Sequence, residues 1–110
     1  MSAISALARG DLPAMREQGG PVFIDVWGPQ CKPCLALAPA YDRLAEEFSS
    51  SGSFYKLEAP ANRMACVDLK VMALPTFLCY RDGQEVSRLS GEISQEELRE
   101  WVSAAFADTP

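Results

Sequence analysis

The segment PVFIDVWGPQCKPC, residues 21–34, is the most informative part of the sequence because it joins an apolar run to a close pair of cysteines. Residues 21–27 are nearly all apolar, and the β-branched residues among them are typical of a central strand covered on both faces. Cys31 and Cys34 follow, where helical spacing begins. A CxxC pair alone is ambiguous, because half of a zinc site has the same spacing, but its place between a strand and a helix favours redox chemistry.

The placement of the cysteine pair has a chemical reason. Disulfide exchange requires an attacking thiolate, and the free N–H groups and positive dipole at a helix N-terminus stabilise one. The two-residue spacing allows the second sulfur to resolve a mixed disulfide formed by the first. Asp25 lies inside the apolar run, so we expect it to be buried, with a pKa raised towards that of a useful proton acceptor. The alternative is that Asp25 occupies an exposed strand position.

Composition excludes several functional classes. The chain has 110 residues and four cysteines but no histidine, and its ten Lys and Arg stand against fifteen Asp and Glu. The length fits a single domain, residues 1–110. Without histidine, Ser-His-Asp and Cys-His catalysis and histidine metal ligation are excluded. A net charge of −5 argues against nucleic-acid binding, which relies on clustered basic residues.

The sequence also lacks the signals of a membrane protein. No stretch approaches the roughly 20 apolar residues of a membrane span. Residues 1–20 contain four charged residues and no continuous apolar segment, so they do not resemble a signal peptide. We therefore expect a cytoplasmic protein that does not associate with membranes. In that compartment a close cysteine pair is catalytic or metal-binding more often than structural.

The remaining sequence predicts alternating strands and helices. Strands are expected over 21–27, 53–58, 75–80 and 85–89, and helices from Asp11 to Gly19, from about 34 to 49 with a kink at Pro39, over 63–70, and after Ser94. Asp82-Gly83 predicts a hairpin between the last two strands, and Ser94 to Glu97 has the pattern of a capping box. This order predicts an α/β fold, a central mixed β-sheet flanked by helices on both faces.

These landmarks resemble those of the thioredoxin family. They occur in the family's order over about residues 20–106: the strand Phe23–Trp27, the cysteine pair, Pro39, the loop Leu74-Pro75-Thr76, the turn at Asp82-Gly83 and the glycine Gly91 before the last helix. The resemblance implies the thioredoxin fold and thiol–disulfide exchange.

The resemblance also implies a role for each residue of the site. Cys31 would be the exposed nucleophile and Cys34 the buried resolving thiol. Asp25 would handle the proton of Cys34, with Lys56 as its neighbour on the adjacent strand. Substrate contacts are implied for six residues near the pair, with Pro75 in the cis form: Gln30, Lys32, Pro33, Leu74, Pro75 and Gly91.

Two residues of the motif depart from the family's usual Trp-Cys-Gly-Pro-Cys. Gln30 replaces a surface aromatic residue that helps to dock partners, and Lys32 places a cation beside Cys31. We expect Lys32 to lower the pKa of Cys31 below about 7 and to make the pair more oxidising than about −270 mV, the values typical of thioredoxin.

The other two cysteines receive weaker predictions. Cys79 alternates within a predicted strand and is expected to be a small buried apolar residue. Cys66 is expected to be an inert helical residue, and the alternative is an exposed, redox-active thiol. A zinc site made by all four cysteines is not expected, because the second CxxC of such sites is missing.

The predicted function is the reduction of protein disulfides by Cys31 and Cys34. The redox groups belong to the chain, so we expect no bound cofactor and no metal. The expected partners are disulfide-containing proteins and a reductase, which the resemblance implies to be flavin-dependent, and the chain is expected to be a monomer. Two alternatives remain open. One is net oxidation or isomerisation of disulfides, and the other is a binding module that uses the fold without turnover.

Overall fold

The computed structural model describes residues 3–107, so the expected domain boundaries at residues 1 and 110 lie outside it. The strands are β1 (Ile4–Ala6), β2 (Val22–Trp27), β3 (Ser53–Glu58), β4 (Thr76–Arg81) and β5 (Gln84–Ser90). The helices are α1 (Leu12–Arg16), α2 (Lys32–Glu47), α3 (Arg63–Asp68) and α4 (Gln95–Ala107), with a short 3₁₀ turn, Arg9–Asp11, before α1. None of the helices within residues 3–107 has the length and apolar composition needed to cross a membrane.

The five strands form one mixed sheet in the order β1-β3-β2-β4-β5. β2 pairs in parallel with β3 and antiparallel with β4, while β1 extends the parallel part and β5 the antiparallel part. The central position of β2 explains its continuous apolar run, because both of its faces are covered. The prediction of a mixed α/β sheet is therefore confirmed. β1 was not predicted from the sequence.

Helices cover both faces of the sheet, as predicted. On one face, Val22, Ile24 and Val26 of β2 pack with residues of α1 and α3. On the other face, Phe23 packs with residues of α2 and α4 and with Phe77 of β4. Alternate residues of a strand point to opposite faces, so Asp25 lies on the face covered by α2 and α4. That placement brings a carboxylate under the helix that carries the cysteine pair.

Local signals set most of the element boundaries. Asp82 and Gly83 both have positive φ, 54° and 82°, as a tight hairpin turn requires. Ser94 and Glu97 exchange hydrogen bonds of 2.9 and 3.0 Å through backbone N–H and side-chain oxygen, which confirms the capping box of α4. Asp11 precedes α1 as expected, but its carboxylate accepts from the N–H of Ala8 and does not cap the helix.

α2 differs from its prediction in its first turn. The helix begins at Lys32, two residues earlier than expected, and continues through Pro39 to Glu47. Pro33 stands in the first turn, where its missing N–H has no helical partner to lose. Cys31 is therefore the N-cap residue and Cys34 lies inside the first turn.

Candidate active site

The two cysteines of α2 form a disulfide. The Cys31–Cys34 sulfur–sulfur distance is 2.13 Å and the Cα–Cα distance is 5.3 Å. The two residues are unequally exposed, since Cys31 is half-buried and Cys34 is only 2% exposed. The backbone N–H of Cys34 points at Sγ of Cys31, with a donor–acceptor distance of 3.2 Å. In the reduced form, that N–H and the positive end of α2 would stabilise negative charge on Cys31, the more exposed residue of the pair.

The segment before the pair approaches the loop that precedes β4. The N–H of Cys31 donates to the carbonyl of Gly28 at 3.1 Å, which closes a tight turn. A Cβ atom at Gly28 would lie 3.3 Å from Cδ1 of Leu74 and 3.6 Å from Cδ of Pro60, so a glycine allows this close approach. The Leu74–Pro75 peptide bond is cis. Residues distant in sequence thus meet at the turn that precedes Cys31.

Asp25 is buried, with 2% of its surface exposed. Burial raises the pKa of this carboxyl group to about 7, against the opposing charge of Lys56 and with a further increase from Asp42. Within the described part of the chain, its Oδ1 atom has no hydrogen-bond partner. A carboxyl group with a pKa near neutrality and an unsatisfied oxygen is suited to accept and return a proton.

Lys56 occupies the position next to Asp25, as expected. Asp25 and Lys56 are register partners on the parallel strands β2 and β3. The Lys56 ammonium lies over the Trp27 ring, with Nζ 5.2 Å from the ring centroid. Lys56 and Trp27 both line an open cleft of about 640 Å³ at the β1 side of the sheet.

The residues expected to contact substrate fall into two groups in the fold, one in the disulfide loop and one at an end of the β4–β5 hairpin. Gln30, Lys32 and Pro33 are exposed beside the cysteines. Thr76 and Ser90 are register partners at the open end of the β4–β5 hairpin, so Pro75 and Gly91 occupy adjoining positions. The structure therefore brings the loop before β4 and the segment after β5 to the same end of the sheet.

An apolar groove beside this loop was not predicted from the sequence. It has a volume of about 430 Å³ and lies between α3 and the segment leading to β4; its lining residues are Ala59, Pro60, Arg63, Cys66, Val67, Val71, Met72, Ala73 and Leu74. Met72 is 95% exposed and Val67 is 64% exposed. Pro60 and Leu74 also pack against Gly28, so the groove continues into the disulfide loop. The sequence feature that could have indicated this groove is the presence of apolar residues in the weakest predicted helix, over 63–70.

Cys66 and Cys79 are free thiols in different surroundings. Cys79 is buried in β4, as predicted, and burial raises its pKa to about 11, with a smaller opposing effect of Arg81. Cys66 is half-buried on α3, and burial raises its pKa also. Neither thiol is activated at neutral pH. Residues 3–107 contain no group of three or more cysteine and acidic side chains arranged to hold a metal ion.

Comparison with known proteins gives a consistent result. Residues 13–104 match the family model for thioredoxin. The chain belongs to the thioredoxin family. Thioredoxin from Staphylococcus saprophyticus is 30% identical over 85 residues, which are 77% of this chain and 82% of that protein. Thioredoxin from Staphylococcus aureus strain N315 is 30% identical over 83 residues, 76% of this chain and 80% of that protein.

The fold agrees with a solved thioredoxin structure. The crystal structure of Malassezia sympodialis thioredoxin (Mala s 13) superposes with a TM-score of 0.87 at 18% identity, covering 96% of this chain and 92% of that one. Membership of the thioredoxin family, together with the Cys31–Cys34 disulfide, makes the chain a thiol–disulfide oxidoreductase.

Proposed function

We propose that the chain reduces disulfides of protein substrates. The observation that carries this proposal is the asymmetric Cys31–Cys34 pair at the start of α2, in which one residue is half-buried and the other is buried. The Cys31 thiolate attacks one sulfur of a substrate disulfide. The substrate S–S bond breaks, a mixed disulfide forms, and the other substrate sulfur leaves as a thiolate.

The second step returns the pair to the disulfide form seen in the structure. Cys34 loses its proton and attacks Sγ of Cys31, so the mixed disulfide breaks and the second substrate sulfur leaves. Two electrons have then passed from the cysteine pair to the substrate. Asp25 is the proposed acceptor of the Cys34 proton, which is supported by its burial on the α2 side of the sheet and its pKa of about 7.

We propose that substrates bind as an extended segment across the end of the sheet. Leu74, Pro75 and Gly91 supply the adjoining backbone, and Gln30, Lys32 and Pro33 form the exposed rim of the disulfide loop. The apolar groove, which shares Leu74 with this loop, receives apolar side chains of the same segment. Exposed Met72 adds a flexible contact suited to substrates of varied sequence.

The proposed cycle requires a partner that reduces Cys31–Cys34 again. We propose a flavin-dependent reductase for this role, acting on a monomeric chain in the cytoplasm. The chain supplies both redox sulfurs itself, so its part of the cycle needs no bound cofactor. Exposed Gln30 and Lys32 depart from the family's usual residues at the surface that this reductase must contact, which supports a specialised partner.

Insulin reduction tests the proposal. The wild-type chain is compared with Cys31→Ser and with the matched control Cys66→Ser. We expect Cys31→Ser to lose catalysis and Cys66→Ser to keep it. Equal rates for the wild-type chain and Cys31→Ser would leave only the binding-module alternative. Cys34→Ser is then expected to trap substrates as mixed disulfides at Cys31, and mass spectrometry of those adducts identifies the partners.

A net oxidase or isomerase is the second candidate function. It is favoured by Lys32, an exposed cation in the first turn of α2 and adjacent to Cys31. A nearby cation stabilises the thiolate, and a stabilised thiolate makes the disulfide more oxidising. A reduction potential of about −180 mV or higher supports this candidate, and one near about −270 mV supports the reductase.

A further inference from the structure

The Lys56 ammonium has two possible interaction partners on β2, the Trp27 ring and the Asp25 carboxyl group. Trp27 and Asp25 are two residues apart on β2 and point to the same face, and Lys56 is the register partner of Asp25 on β3. Nζ lies 5.2 Å from the centroid of the Trp27 ring. Among residues 3–107, no ion pair within 4.0 Å joins Lys56 to Asp25. The ammonium therefore occupies the indole face, although an unsatisfied carboxyl oxygen belongs to the adjacent residue.

The position of the Lys56 ammonium matters because its surroundings differ in charge from those of the Asp25 carboxyl group. The cleft that contains Lys56 and Trp27 is also lined by the carboxylates of Asp11, Asp42 and Glu58, so the ammonium stays in a solvated, acidic environment.

Asp25 has a less polar environment. The charged groups that act on it are Lys56 from β3, which lowers its pKa, and Asp42 from α2, which raises it. Tyr41 of α2 also lies near, since the charge of Asp25 raises the pKa of that phenol, and the register partner of Asp25 on β4 is the apolar Phe77. Burial is the largest influence on the pKa of Asp25, and Lys56 is the one opposing charge among these groups, so its distance from Asp25 sets how far the effect of burial is offset.

We propose that Trp27 is a positioning residue, whose ring holds the Lys56 ammonium in the open cleft and away from the Asp25 carboxyl group. Direct contact between the two charges would keep Asp25 ionised and make it a poorer proton acceptor near neutral pH. Separation of the two charges keeps Asp25 able to accept the Cys34 proton near neutral pH. The inference rests on the proposed function, because it concerns the residue that accepts the Cys34 proton.

The test is a titration of the Asp25 carboxyl carbon by NMR in the oxidised full-length chain. Trp27→Leu removes the ring face, and we expect the pKa of Asp25 to fall by about one pH unit as the ammonium moves towards it. Trp27→Phe retains an aromatic face and is expected to stay close to wild type. Lys56→Met is expected to raise the pKa of Asp25.

A double-mutant cycle separates positioning from simple exclusion of water. If Trp27 acts through Lys56, Trp27→Leu has no further effect in the Lys56→Met background. A shift of equal size in that background, or no downward shift from Trp27→Leu alone, would overturn the proposal. If the Trp27→Leu variant fails to fold, NMR chemical shifts of the wild-type chain test the proposal instead. Its Lys56 ε-protons are expected upfield of their usual position because of the indole ring current, and ordinary shifts would contradict the inference.

The titration needs no substrate, so it is independent of the proposed function. Failure of the wild-type chain to reduce insulin would count against the reductase function and leave the titration intact. An unchanged pKa of Asp25 in an active chain would count against positioning by Trp27 alone.

Discussion

The chain carries two kinds of cysteine, and the difference between them lies in their surroundings. Cys31 caps a helix of sixteen residues and accepts an N–H from Cys34. Cys79 lies in a buried strand, where burial raises its pKa to about 11, and Cys66 lies half-buried on a short helix. Identical side chains thus have different surroundings, and the factors that set their reactivity are the helix N-terminus and access to solvent.

The largest expected difference is in alkylation rates of the reduced chain. At pH 7, iodoacetamide should label Cys31 at least about 10³-fold faster than Cys79, because a thiol with a pKa of about 11 is almost wholly protonated and is also buried. Cys66 should react at an intermediate rate. Mass spectrometry of peptides sampled over time measures all three rates. Rapid labelling of Cys79 in the folded chain would show that its thiol is not protected by burial, whereas labelling that appears only in denaturant would show that burial protects it.

The next largest effect concerns the carboxyl group on the α2 side of the sheet. Because the pKa of Asp25 is raised from 3.8 to about 7 on folding, the folded chain binds more protons than the unfolded chain between these values. The contribution of Asp25 to the free energy of unfolding is therefore most favourable below about pH 4, and it falls as the pH rises to about 7. We expect Asp25→Asn to remove this loss and to raise the free energy of unfolding at pH 8 by a few kcal/mol.

Urea denaturation at pH 5 and pH 8 measures this effect, with Glu46→Gln as the control for an exposed carboxylate. A variant whose stability gain is the same at both pH values would show that Asp25 is not the titrating group. The same variant should slow the release of substrate from a mixed disulfide at Cys31, because Cys34 loses its proton acceptor. Activity and stability are therefore expected to change in opposite directions.

A smaller effect is expected from the cation between the cysteines. Lys32 is exposed, so its charge is screened by solvent. Lys32→Gln should raise the pKa of Cys31 by about half a pH unit, and the difference should shrink in 1 M salt. Absorbance of the thiolate at 240 nm during a pH titration measures it. Arg43→Gln removes the same charge from a distant turn of α2 and should have no such effect. An equal shift from both variants would argue against a local role.

The smallest functional effect is expected from the remote thiols. Cys66→Ser should reduce insulin within about twofold of the wild-type rate, because this thiol is not activated. Cys79→Ser should also keep the activity but lower the free energy of unfolding by about 1–3 kcal/mol, since it buries a hydroxyl group without an assured partner. A large loss of activity in Cys66→Ser would assign Cys66 to the redox cycle.

Much of the fold follows from short-range patterns in the sequence. The apolar run in β2, the turn at Asp82-Gly83 and the capping box at Ser94 each act within a few residues, so each was predictable. β1 was not, because three residues are too few to show alternation and the strand depends on its pairing with β3. The start of α2 shifted because Lys32 and Pro33 carry no helical periodicity of their own.

The candidate site likewise has some features that the sequence predicts and others that only the folded chain shows. The burial of Asp25 could be predicted from its apolar neighbours, and its adjacency to Lys56 from a family resemblance. The position of the Lys56 ammonium over Trp27 depends on side-chain rotamers in the folded chain, which no spacing encodes. The apolar groove combines residues from before, within and after α3, so only the tertiary structure brings it together.

The edge strand β1 has a dynamic consequence for the cleft that contains Lys56. Ile4 and Ala6 of β1 line that cleft, and β1 is a three-residue strand at the edge of the sheet that residues 3–107 form. Short edge strands open locally at a lower free energy than the centre of a sheet. Hydrogen exchange should therefore be fast at β1 and slow at β2. We expect brief openings at this sheet edge to admit water to the neighbourhood of the buried carboxylate while the pairing of β2 with β3 stays intact.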